Sequence, residues 1–155
     1  MEPHLIHLRP TTELDSDFCY KVKKDALGDY VAQVWGWDEE FQRNFHRRDF
    51  ELARPDVVIY QSADIGTFEV IEHSDHLHIG EFYILPLFQR RGIGAILLER
   101  VLQDATNKCL PVRLEVLKVN PAQSFYKRHG FIISGQKEHH FLMERAFSSK
   151  AKTNI

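Results

Sequence analysis

The alternation of apolar and polar positions along the chain predicts elements in the order β-α-α-β-β-β-α-β-α-β-β. "HLIHLRP" (residues 4–10) alternates and stops at Pro10, which reads as a first strand. Thr11 or Thr12 then caps a helix reaching about Leu27 and ended by Gly28. A second helical stretch, from about Tyr30 to His46, carries the segment "WGWDEEFQ". Beyond Arg54-Pro55, "DVVIYQSA", "IGTFEVIEH" and "HLHIGEFYIL" are strand-like runs separated by short polar turns, as in an antiparallel meander closed by Pro86. From Gly92 to about Lys108, Ile93, Leu97 and Val101, and likewise Leu98, Leu102 and Ala105, fall at helical spacing. "PVRLEVLKV" is the next strand. Pro121 suits the first turn of a short helix, "PAQSFYKRHG", closed by Gly130. "FIISGQK" and "EHHFLMER" supply two last strands. This order predicts an α/β (α+β) single domain over residues 1–147, a mixed, mostly antiparallel sheet with helices on both faces. Residues 148–155 read as a polar C-terminal tail.

Composition narrows the function classes. With 20 Lys and Arg against 22 Asp and Glu, the formal net charge is −2, and the basic residues are scattered. No basic stripe offers a nucleic-acid footprint. The apolar runs are too short to span a membrane, and the N-terminus lacks a signal-peptide layout, so a cytoplasmic location is expected. Cys19 and Cys109 stand far apart, as reduced thiols rather than a disulfide framework.

The chemistry begins at Gly92-Ile93-Gly94. Gly-x-Gly at a helix start suggests an anion on the chain. A dinucleotide fingerprint needs a third glycine where Leu97 stands, and the Lys-Ser/Thr of a Walker loop is absent. A strand running into a helix through Gln-Arg-Arg-Gly-x-Gly remains, its first-turn N–H groups and helix dipole facing a pyrophosphate. "ILPLFQRRGIGAILLERVL" resembles the acyl-coenzyme A loop of the GNAT family of N-acetyltransferases, and "VLKVNPAQSFYKRHGF" resembles the strand-helix unit that follows it there. The order of elements matches that family along nearly the whole chain, and the segments "WGWDEEFQ" and "EHHFLMER" resemble a subgroup of small bacterial members.

This resemblance implies the GNAT fold, acetyl-CoA as acyl-donor cosubstrate and direct transfer to an amine. Cofactor contacts are then expected at Gln89, Arg90, Arg91, Gly92, Ile93, Gly94 and Ala95, with Ile84 and Leu85 offering backbone groups to the pantetheine arm and Ile84 N–H a place for the oxyanion. Asn120, Ser124 and Lys127 are expected near the cofactor. Tyr126 falls where the family's general-acid tyrosine stands, and a phenol suits protonation of a departing thiolate. Glu81 is the candidate general base. His78 lies on the same strand, and alternation places the two on opposite faces.

The acceptor side is expected at Trp35, Trp37, Glu39 and His140, the tryptophans walling a pocket for a primary amine of a small molecule or peptide. The acidic run Asp38–Glu40 favours a cation there. "HSDHLH" brings three histidines together, yet no Cys or acidic cluster completes a tetrahedral set, so no metal is expected. Two other readings keep the same loop: acetylation of protein N-termini or lysines, and a non-catalytic acyl-CoA sensor. Either a monomer or a homodimer is compatible with the sequence.

Overall fold

The computed structural model describes residues 3–147, so the tail over 148–155 lies outside the described residues. A 3-10 turn at Pro3–Leu5 leads into β1 (Ile6–Pro10). A second 3-10 turn, Glu13–Asp15, then feeds α1 (Ser16–Trp35). A capping box sets this entry: Thr12 Oγ1 accepts from Leu14 N–H at 3.2 Å, and the Asp15 carboxylate accepts from Thr12 N–H at 2.8 Å. Arg9 fixes it to the sheet, donating to Asp15 at 2.9 Å and to Asp64 at 3.1 Å.

The first helix overruns its expected stop. Gly28 lies inside α1, where an added Cβ would approach Lys24 at 3.7 Å and the Trp37 ring at 3.9 Å. It therefore serves as a flat packing surface. The stop is Gly36, whose φ of 78° ends the helix in a conformation that favours glycine. α2 (Glu39–Leu52) consequently starts and ends later than the sequence pattern suggested, with Asp38 as its N-cap accepting from Phe41 N–H at 3.0 Å.

β2 (Asp56–Tyr60) and β3 (Ala63–Glu72) form a hairpin through Gln61 and Ser62, both left-handed, as a tight primed turn requires. β4 (Leu77–Ile84) ends just before Pro86 opens a 3-10 turn, Pro86–Phe88. α3 (Ile93–Lys108), β5 (Val112–Leu117), α4 (Ala122–Arg128), β6 (Ile132–Gln136) and β7 (His140–Arg145) complete the chain. The order of the long helices and strands is the one the sequence pattern predicts. They build a mixed α/β fold on a seven-stranded sheet, ordered β1-β2-β3-β4-β5-β7-β6. β1 pairs antiparallel with β2 from Ile6↔Tyr60 to Pro10↔Asp56. The parallel ladder of β4 with β5 joins Leu77↔Val112 and His78↔Arg113. By contrast, β5 pairs antiparallel with β7 along its length, from Val112↔Arg145 to Leu117↔His140.

Residues 3–69 and 81–96 form one compact unit; residues 70–80 and 97–147 form the other. In the first, Ile6, Val22, Val57, Val58, Ile65 and Ile93 are almost completely buried. The second is built on Leu77, Leu97, Leu98, Val112, Leu114 and Met143. The apolar stripe expected on α3 is thus the buried one. Among the described residues, no helix is long and apolar enough to cross a membrane.

One close approach holds β3 to the end of β4. A Cβ on Gly66 would lie 2.2 Å from the Tyr83 carbonyl oxygen and 3.2 Å from Ile84 Cα. Leu85 N–H donates to the Ile65 carbonyl at 2.8 Å alongside. Gly66→Ala should therefore cost about 1–3 kcal/mol through overpacking against backbone, read as a fall in denaturation midpoint. A Gly66→Ala variant as stable as wild type would show that β3 and β4 can part there without penalty.

Candidate active site

The first unit carries the glycine loop. β4 stops because Pro86 has no N–H to extend a ladder. The Gln89 side chain then folds back, its Nε2 donating to the Ile84 carbonyl at 2.8 Å. Two left-handed residues follow, Arg90 at φ 61° and Gly92 at φ 82°. Gly92 O accepts from Ile96 N–H at 3.1 Å, opening α3, while the Ile93 side chain anchors the helix in the core at 1% exposure. Left-handed residues in a turn make successive N–H groups converge, and a helix start adds N–H groups without intrahelical partners. Arg90 and Arg91 are both exposed here, with no carboxylate between Pro86 and Ala95, and the Arg91 guanidinium lies 5.3 Å over Phe88. The loop thus gathers N–H donors and two positive charges on one exposed surface.

Neighbouring residues of an extended strand direct their N–H and C=O groups to opposite edges. Since Leu85 N–H is donated to Ile65, its hydrogen bond is spent on β3; Ile84 directs its N–H to the other edge, and its carbonyl accepts from Gln89. Three residues back, Glu81 is half-buried and accepts from Thr67 Oγ1 at 3.3 Å. Burial pushes its carboxyl up, with Lys23 pulling the other way. The sequence pattern drew no attention to the groups around it: Lys23 on α1, Asp49 on α2, and Thr67 and Glu69 on β3. A signal existed, because Thr67 and Glu69 are polar residues two apart inside a strand, hence on one face.

At the α1–α2 junction, Trp35 ends α1 and is 56% exposed. Trp37 turns back onto α1, with Lys24 Nζ 5.8 Å from its ring and Tyr20 at 6.4 Å. Glu39 gathers this corner, accepting from Trp37 Nε1 at 2.8 Å, Lys24 Nζ at 2.9 Å and Arg43 Nε at 2.9 Å. Bonds from Lys24 and Trp37 hold its carboxyl down at about 2. The acidic run expected to attract a cation thus has Asp38 committed to a cap and Glu39 to local donors.

In the second unit, β5 leads to Asn120, whose Oδ1 accepts from Ala122 N–H at 2.9 Å. Gln123 Nε2 braces the same bend, donating to Lys118 O at 2.9 Å. α4 then presents Ser124 and Lys127 to solvent and buries Tyr126 against Phe125 and Phe131, at ring distances of 5.4 and 5.6 Å. Burial pushes the Tyr126 phenol well above its ordinary range, so it carries its proton throughout the neutral region. His140 is half-buried at the start of β7, opposite Leu117. His78 lines a 380 Å³ pocket with Arg113, Glu115 and Glu144, and burial pushes its imidazole down. Among the described residues, no group of three or more His, Cys, Asp or Glu could hold a metal ion.

Residues 54–133, which include the glycine loop and α4 with Tyr126, match the family model described as acetyltransferase (GNAT) domain. The chain belongs to the GNAT acetyltransferase family. None of the curated proteins matches the sequence. Solved structures of GNAT and other acetyltransferases share its fold. The PaiA N-acetyltransferase of Thermoplasma acidophilum, in complex with coenzyme A, superposes with a TM-score of 0.72 at 19% identity, covering 92% of this chain and 99% of that one. An acetyltransferase from Thermus thermophilus gives 0.70 at 18% identity, covering 94% and 99%. A GNAT family acetyltransferase from Elizabethkingia anophelis with acetyl-CoA bound gives 0.64 at 16%, covering 92% and 99%.

The Glu39 corner of this GNAT chain makes a pH-dependent prediction. A carboxyl depressed by its partners stabilises the fold above its unfolded value of 4.5, and that contribution disappears as pH falls through about 2. Glu39→Gln should melt below wild type at pH 7, with the gap closing between pH 4.5 and 2. Melts followed by tryptophan fluorescence test this, and a gap independent of pH would refute it.

Proposed function

We propose that this chain transfers the acetyl group of acetyl-CoA directly to a primary amine of a small molecule or peptide. The observation that carries the reading is the loop from Pro86 to Gly92. Two left-handed residues and the first turn of α3 there gather N–H groups beside two arginines that no carboxylate of the loop answers. Those residues fit a pyrophosphate: Arg91 to Ala95 would hold it through backbone N–H groups, with Gln89, Arg90 and Arg91 at the rim and the arginines supplying charge. Ile84 offers the backbone edge for an amide arm, and its N–H a donor for the oxyanion; Leu85 contributes its side chain and its bond to β3. Asn120, Ser124 and Lys127 are assigned to the same ligand.

When bound, acetyl-CoA supplies a thioester whose carbonyl carbon forms a bond to the amine nitrogen as its bond to sulfur breaks. Glu81 takes a proton from the amine; burial raises its affinity for protons above that of a free carboxylate, which makes it the stronger base. Tyr126, held protonated by burial, gives its proton to the departing sulfur. Transfer is direct in this reading; the buried thiol of Cys19, pushed up to about 12 mainly by burial, is a poor nucleophile. Trp35, Trp37, Glu39 and His140 are assigned to the acceptor. Glu39 serves by fixing Trp37 in place, since its own charge is already matched.

Release of free coenzyme A thiol against a panel of amines tests the function. Acetyl-CoA at 100 times its dissociation constant should add about 2.7 kcal/mol of stability, and Gly94→Val should abolish that gain. Tyr126→Phe should lower turnover by roughly 10²–10⁴-fold while coenzyme A still binds. Stabilisation by acetyl-CoA without release on any amine would favour a sensor, and release on folded proteins or N-terminal peptides alone would favour a protein acetyltransferase.

A further inference from the structure

A helix packed on its own domain needs one apolar stripe, and α2 carries two. His46 and Phe50, one turn apart, are its buried residues. On the far side of the axis Phe41, Phe45 and Leu52 share a second face, where they stand 56%, 50% and 87% exposed. The Phe41 and Phe45 rings stack at 6.4 Å, so this apolar surface is continuous rather than scattered. The same exposed side carries Glu40 near its start and Arg47 and Arg48 two turns on. None of these three forms an ion pair among the described residues. The helix dipole favours acid first and base last in any helix, but it gives no reason for exposed phenyl rings between them.

We infer that this face docks on the same face of a second copy of the chain, with the two α2 helices antiparallel about a twofold axis. A surface that meets itself must be its own complement. Parallel helices would set Glu40 against Glu40 and Arg48 against Arg48; antiparallel helices oppose the acidic end to the basic end and the two dipoles to each other. A register centred on Asn44 brings Glu40 level with the partner's Arg48, because the two positions lie four residues either side of that centre. At about 1.5 Å of rise per residue, the Phe41 and Phe45 rings of both copies then fall within about 5 Å of the axis, between the two charge pairs. Burial of the rings supplies the attraction, and the charges set the orientation. A negatively charged lipid surface fits less well, since Glu40 and Glu51 lie on this exposed side.

One helix face and its flanks bury less than about 1,200 Å² in total, so association is expected in the micromolar range. Sedimentation velocity of the full chain across about 1–200 µM should show monomer giving way to dimer. Phe45→Glu should hold the chain monomeric throughout, with its far-ultraviolet circular dichroism unchanged because the ring is exposed. Glu40→Arg and Arg48→Glu should each dissociate the dimer, since each opposes like charges twice. An equimolar mixture of those two variants opposes unlike charges at both pairs and should associate again, as should the double variant Glu40→Arg/Arg48→Glu. Wild type that stays monomeric over the whole range overturns the inference. If that monomer instead sediments with phosphatidylglycerol vesicles and Phe45→Glu does not, the face belongs to a lipid surface. A dimer untouched by Phe45→Glu lies elsewhere on the molecule and overturns it equally. Single charge variants that still dimerise, or a mixture that fails to, overturn the antiparallel docking.

Discussion

The end of β4 is the constraint on which the rest of the site depends. Gly66 lets the β3 backbone approach Tyr83 and Ile84 more closely than any side chain would permit, and the bond from Leu85 to Ile65 fixes that approach. Pro86 then stops the ladder within one residue. A strand pinned so firmly and ended so abruptly delivers its following loop in one orientation. Gln89, tied back to Ile84, and Ile93, sunk into the core, hold the two ends of that loop. The left-handed turns at Arg90 and Gly92 have little freedom left between them.

Much of this was legible in the residues. Pro86, Gly92 and the apolar stripe of α3 are local signals, and each acts within a few positions of where it is written. The α1–α2 boundary departs from the sequence pattern for a physical reason. Glycine ends a helix only when the backbone needs a left-handed residue, and a glycine inside a helix can be there for lack of a side chain. Gly36 is of the first kind and Gly28 of the second, but both look the same in sequence. What tells them apart is Trp37, which folds back onto the surface that Gly28 leaves flat.

Side-chain roles were less legible because partners came from distant segments. Glu39 reads as part of an acidic patch, yet Lys24 from the preceding helix and Arg43 from its own neutralise it. Glu81 reads as a lone strand carboxylate, yet α1, α2 and β3 each bring a polar group towards it. Its protonation is a property of that assembly. Tyr126 lies on the short helix that its segment predicts, and its retained proton follows from the Phe125 and Phe131 packing around α4.

Arg90 occupies a left-handed conformation that glycine or asparagine would adopt more readily. A side chain there carries a penalty on the order of 1–2 kcal/mol. Stability by itself would therefore let this position drift to glycine, and each such step would yield a sturdier chain with one positive charge fewer on the glycine loop. Thermostability screens run without ligand would reward that drift. With Arg90 in the role proposed for it, selection for turnover would resist that drift, and the two pressures would pull one residue in opposite directions.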